Sequence, residues 1–159
     1  MKRVIPVLLA LLLLSGCVFA GENSGGVSFY YPRAETSVGI ADGSPAEEIR
    51  NVAGYDMEYV LRLYLLGPLD ENLTAVYPAD IQLQSAELSG KTLTVTLTPV
   101  GNRLTDISFS LANACLAQTC FGLLDVQTVC VRSGDRQMSL NRNQLVFRDA
   151  RANLDTLPE

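Results

Sequence analysis

The sequence predicts an α+β domain: two helices on one face of a small mixed sheet, with elements in the order β-α-β-β-α-β. Three stretches carry that expectation. Met57, Val60, Leu61, Tyr64 and Leu65 recur at i, i+3, i+4, i+7 and i+8, one apolar stripe of a helix. Leu93, Val95 and Leu97 alternate with Thr92, Thr94, Thr96 and Thr98 beyond a Ser89-Gly90 turn, the period of a half-buried strand in a hairpin. An apolar run from Asp106 to about Cys120, then a β-branched run from Val126 to Val131, reads as a second helix feeding a further strand.

The elements follow in order. Val27 to Tyr31 is aromatic and β-branched and stops at Pro32, a first strand. The stretch 33–54 supports two readings. Ser44-Pro45-Ala46-Glu47 fits a capping box with proline at the first helical position, whereas Glu48-Ile49-Arg50-Asn51-Val52 serves equally as a short edge strand. Asp56 is placed to cap the first helix, and Gly67-Pro68 to stop it. Ile81, Leu83, Ala86 and Leu88 supply the first arm of the hairpin, whose aliphatic face goes to the core and whose threonine face goes to water or a partner. In the second helix, Ile107, Leu111, Ala114 and Cys115 share a face, with Phe109, Ala112 and Leu116 beside them, so deep burial is expected and Gly122 should break it. Ser133-Gly134 ends the next strand, and Met138-Ser139-Leu140 is a candidate short edge strand.

The first segment has a different character. Met1-Lys2-Arg3 is followed by an apolar run from Val4 to Leu14, shorter than the roughly 20 residues a spanning helix needs. A charged start, a short apolar stretch and then small residues describe a secretory signal peptide. Leu14-Ser15-Gly16-Cys17 resembles the lipobox of bacterial lipoproteins, in which the cysteine takes a thioether-linked diacylglycerol and becomes the first mature residue. The expected organisation is a signal peptide over 1–16, a lipidated cysteine and flexible tether over 17–26, a domain over 27–148 and a polar tail over 149–159. The expected address is the extracytoplasmic face of the cell membrane, held by lipid on Cys17.

From Cys17 onward the chain carries 10 Lys and Arg against 17 Asp and Glu, a formal charge of −7. Such an acidic body is a poor candidate for nucleic acid or anionic headgroups. The chain has no histidine, which excludes a Ser-His-Asp triad, histidine general-base catalysis and histidine-containing metal sites. It also has no tryptophan.

Leu65-Leu66-Gly67-Pro68, Tyr77-Pro78, Ile81-x-Leu83 and Gly90-x-x-Leu93-x-Val95-x-Leu97 together resemble the GerMN domain, the sporulation and spore germination domain. The stretch from Leu104 to Cys120, followed by Val126 to Val131 and Gly134, is similar to the way that family closes, so the resemblance covers roughly Ser28 to Phe147. It implies a β-α-β-β-α-β domain on an envelope lipoprotein, with no catalytic residues and a role in assembling envelope complexes. Three cysteines in the second half and a single copy of the domain depart from the pattern.

Cys115, Cys120 and Cys130 face an environment where disulfides persist. Five residues apart on a regular helix, Cys115 and Cys120 would stand roughly 8–9 Å apart at Cα, beyond the ~7 Å a bridge allows. Cys120 and Cys130 remain a candidate pair, against which alternation sets Val129 and Val131 toward the core and Cys130 away from it. Buried free thiols and a reactive Cys130 are the other readings. Asp70, Glu71 and Asp80 lack the spacing of a calcium loop and read as turn residues, and Tyr30, Tyr31 and Tyr77 as core and rim. Thr94 and Thr96 are the candidate partner face. No metal and no cofactor are expected. The leading expectation is a non-enzymatic, lipid-anchored interaction module of the envelope that meets other envelope proteins. A small-molecule or glycan-binding lipoprotein is the alternative, and a hydrolase with paired carboxylates a third.

Overall fold

The computed structural model describes residues 26–34, 45–52, 54 and 56–145. The signal peptide, Cys17, most of the tether and the polar tail lie outside the described residues. The described elements are β1 (Val27–Pro32), β2 (Pro45–Arg50), α1 (Met57–Leu65), β3 (Leu83–Ser89), β4 (Thr92–Leu97), α2 (Asp106–Leu123), β5 (Thr128–Ser133) and β6 (Arg136–Asn141). The α+β class, the two helices and the mixed sheet are as the sequence predicts.

The strands form two sheets. β1 and β2 make an antiparallel ribbon, and β3-β4-β5-β6 make a four-stranded sheet in which only the β4–β5 pair is parallel. The parallel pair requires a crossover, and α2 is that crossover. The first strand therefore sits outside the main sheet, across α2, where the Tyr30 backbone N–H donates to Thr119 Oγ1 at 3.0 Å. Of the two readings of 33–54, the strand is correct from Pro45 onward, and the capping-box helix is not formed there. Proline is tolerated at the first position of an edge strand, so β2 begins where a helix could also have begun.

Asp56 caps α1 by accepting from the Tyr59 backbone N–H at 2.7 Å, and Val60, Leu61, Tyr64 and Leu65 are buried, the stripe read from the sequence. Gly67 adopts φ 93°, a conformation that favours glycine, and its N–H donates to the Tyr64 carbonyl at 3.0 Å to close the helix.

The hairpin turns at Gly90 as expected, and Leu93, Val95 and Leu97 are buried. Leu83 and Ala86 are three apart, which would put them on opposite faces, but a register shift between Leu83 and Ser85 restores the alternation.

α2 differs from its expected course in two ways. Its buried side carries Phe109, Ala112, Asn113, Leu116 and Cys120, while Ile107 is exposed and Leu111 and Ala114 are only half-buried. Apolar residues surround this helix almost completely, so its sequence gives little direction to the stripe. It also continues through Gly122 to Leu123. Arg142 stabilises that last turn: its Nη2 donates to the carbonyls of Phe121 and Leu124, both at 2.8 Å, and its Nε donates to that of Val126 at 2.9 Å. At the other end Thr105 caps the helix, and Arg136 stacks 3.9 Å over Phe109 while donating to the Leu104 carbonyl at 2.7 Å. One edge strand, β6 with the residue after it, thus clamps both ends of α2.

One core joins all of these. Phe29, Tyr31, Val60, Leu61, Leu93, Val95, Leu116, Val129 and Val131 belong to a single buried cluster. Each valine, leucine or phenylalanine among them contributes about 1.5–3 kcal/mol on burial. No helix among the described residues is long and apolar enough to cross a membrane.

Candidate functional site

Two surfaces stand out once the core is assigned. The first is the face of the four-stranded sheet that carries no helix among the described residues. Alternation places Thr92, Thr94 and Thr96 opposite the buried Leu93, Val95 and Leu97, and all three threonines are half-buried. Their register neighbours extend the row: Thr94 pairs with Glu87 and Cys130, and Cys130 pairs with Ser139, while Thr96 pairs with Ser85 and Arg132. Short polar side chains therefore cover the middle of this face.

The cysteines are placed accordingly. Cys115, Cys120 and Cys130 are free, so the candidate Cys120–Cys130 bridge is not formed. Cys120 belongs to the core cluster, whereas Cys130, though buried, does not and lies on the threonine face between Thr94 and Ser139. The two thiols stand on opposite sides of the sheet. An unbroken helix through both Cys115 and Cys120 keeps that pair apart as well. Burial pushes both thiols up to about 12, which leaves them protonated and unreactive.

The second surface lies between β2 and the end of α1. Glu48, Arg50, Val52, Leu63 and the turn Leu66-Gly67-Pro68-Leu69-Asp70 line an open groove of about 690 Å³. Glu48 and Arg50, two apart on β2, point the same way and form an ion pair with each side chain 10% exposed. Arg50 stacks 4.5 Å over the Phe29 ring, and its Nη2 donates to the Gly67 carbonyl at 2.8 Å. Glu48 accepts from the backbone N–H groups of Leu69 at 2.9 Å and Asp70 at 3.0 Å. Burial raises the Glu48 carboxyl, but Arg50 and those two amides outweigh it and hold it below the usual carboxylate range. The pair is a clasp that ties the ribbon to the turn after α1. Outside it, the side chains of Ile49, Leu66 and Leu69 are 66%, 82% and 80% exposed.

The other candidate residues serve the fold. Tyr31 is buried, stacks on Tyr64 at 4.8 Å and donates its hydroxyl to the Tyr64 carbonyl at 2.8 Å; burial pushes its hydroxyl up against the opposing pull of Arg50. Tyr77 is buried and donates to Asn113 Oδ1 at 2.6 Å, while Tyr30 is half-buried. Asp70 accepts from the Asn72 backbone N–H at 2.8 Å within its own turn, Glu71 is exposed beside it, and Asp80 pairs with Arg103. Among the described residues no group of three His, Cys, Asp or Glu is arranged to hold a metal ion.

The clasp and its apolar rim were not singled out from sequence. Once Glu48 to Val52 is taken as a strand, alternation alone sets Glu48 and Arg50 on one side and Ile49 on the other. Leu66 falls just past the buried stripe of α1, the one local sign of its exposure.

No protein-family model matches this chain, and no curated protein matches it. The GerMN likeness therefore rests on the residues and element order alone. Among solved structures, the chain is similar to a crystal structure described as a "Putative Lipoprotein from Clostridium perfringens", at 12% identity and a TM-score of 0.42, over 73% of this chain and 86% of that one.

Proposed function

We propose that this chain is a non-enzymatic, lipid-anchored module of the bacterial envelope that docks other envelope proteins on the helix-free face of its sheet. A GerMN-like setting, in sporulation or germination, is the biological context that the resemblance suggests. The observation that carries the docking reading is the threonine face: a sheet surface that no helix covers among the described residues, coated with short polar side chains that lose little conformational entropy when a partner covers them. Supporting the non-enzymatic reading, acidic groups near the groove are committed to internal contacts, Glu48 to Arg50 and two amides, Asp70 to Asn72. The anchor reading rests on Leu14-Ser15-Gly16-Cys17 after a short apolar run.

Two experiments test these parts separately. Cys17→Ala should move the protein from the membrane to the soluble fraction, and unaltered membrane retention refutes the anchor. Thr94→Lys with Thr96→Glu should abolish crosslinked complexes recovered from solubilised membranes while leaving the chain folded and anchored. Unchanged complexes end the docking reading.

A further inference from the structure

The exposed aliphatic side chains are not spread evenly. Six large hydrophobic residues are exposed among the described ones, and three of them, Ile49, Leu66 and Leu69, line one groove. Scattered exposed leucines need no explanation, but a gathered set around a concavity marks an interaction surface.

The chain joins the fold at the same place. Gly26, at the start of β1, lies so close to β2 that a Cβ there would stand 2.5 Å from Ile49 Cγ2 and 2.9 Å from the Arg50 carbonyl oxygen. Gly26, where the described chain begins, therefore lies beside this groove. Gly26 stands nine positions after Cys17, nine Cα-to-Cα steps along the chain. Fully extended they reach at most about 32 Å, and as a glycine-rich coil about 17 Å. A cysteine held in a bilayer keeps the groove side of the domain within that distance of the lipid.

We infer that the rim formed by Ile49, Leu66 and Leu69 is the membrane-facing surface of the domain, resting at the boundary between headgroups and acyl chains. This inference depends on the anchor reading above. The contact is apolar and shallow. Arg50 is neutralised by Glu48 and offers no charge to phosphate, and the exposed carboxylates Asp70 and Glu71, directly after Leu69, limit the contact to a shallow one. The surface therefore gains nothing from anionic lipid, in keeping with the formal charge of −7 from Cys17 onward.

The chain has no tryptophan, so a single introduced one reports its own surroundings. The lipidated full chain is reconstituted in phosphatidylcholine vesicles containing brominated phosphatidylcholine, with and without phosphatidylglycerol. Leu66→Trp and Leu69→Trp are compared with Ile107→Trp, which replaces a side chain 83% exposed at the start of α2. The two groove variants should be quenched by the brominated lipid and shielded at least about threefold from aqueous iodide relative to Ile107→Trp, equally in both lipid mixtures. Intact mass and flotation report the anchor independently. A chain that carries lipid and floats, yet shows Leu66→Trp and Leu69→Trp as open to iodide as Ile107→Trp, overturns the inference and leaves the anchor standing. Shielding from iodide without quenching by brominated lipid assigns the groove to a protein or a second copy and also overturns it. A chain without lipid mass overturns both.

Discussion

The groove beside the ribbon and the helix-free face of the main sheet are built in opposite senses. At the groove, the polar groups turn inward: Glu48 and Arg50 are largely buried and bonded to each other and to backbone, while Ile49, Leu66 and Leu69 turn outward. On the sheet, the aliphatic residues Leu93, Val95 and Leu97 turn inward and the threonines outward. The same alternation of side chains along a strand produces both. What differs is the neighbour on each side. The main sheet has a complete apolar core against one face, so its polar residues are expelled. The ribbon's inner face carries Phe29 and Tyr31 and meets the carbonyl-bearing end of α1, which a guanidinium satisfies and an isoleucine does not. A surface with its apolar groups outside suits lipid, and one with its hydroxyls outside suits water and protein.

Substitutions can break this contrast, and the largest effect is expected at the clasp. Arg50→Ala leaves a nearly buried Glu48 carboxylate without its counter-charge and removes the stack on Phe29, so it should cost about 3–5 kcal/mol in urea unfolding. Leu93→Ala, in the core beneath the threonine face, should cost about 2–5 kcal/mol by the same measurement.

The pH dependence separates the regions further. The Glu48 carboxyl sits below its ordinary 4.5 in the folded chain, so its stabilisation is present above about that value and fades as pH falls through the lower folded value. Arg50→Ala should flatten this acid limb; an unchanged limb assigns the acid sensitivity elsewhere. The thiols of Cys115 and Cys120 rise from 9.0 to about 12 on burial, so their contribution is complete below 9.0 and is lost as pH climbs toward 12. Alkaline unfolding should therefore respond to Cys120→Ala.

A smaller effect belongs to the cap of α2. Thr105→Ala removes the acceptor for the Ser108 N–H and should cost about 1 kcal/mol. The smallest is Thr94→Ala on the open face, within about 0.5 kcal/mol by denaturation, because this threonine is only half-buried and lies outside the core cluster. A loss well above that would mean that the threonine face serves the fold instead of a partner.

Sequence by itself determined whatever depends on near neighbours in the chain. The α1 stripe, its Asp56 cap and Gly67 stop, and the Gly90 hairpin with its two unlike faces all follow from spacing over a few residues. So does the placement of Cys130 on the face opposite Val129 and Val131, although the Cys120–Cys130 pair stayed a candidate until the structure showed both thiols free. Tertiary structure decided the rest. Whether Pro45 opens a helix or a strand depended on β1 being there to pair with it across residues distant in sequence. Which side of α2 is buried, and that it runs through Gly122, were settled by β1 and by Arg136 and Arg142 arriving from the far end of the chain. The clasp joins β2 to a turn about twenty residues later. A local pattern fixes the faces an element has, but only the partner that finally covers it fixes which face is inside, and that partner is chosen by the burial free energy of the whole core.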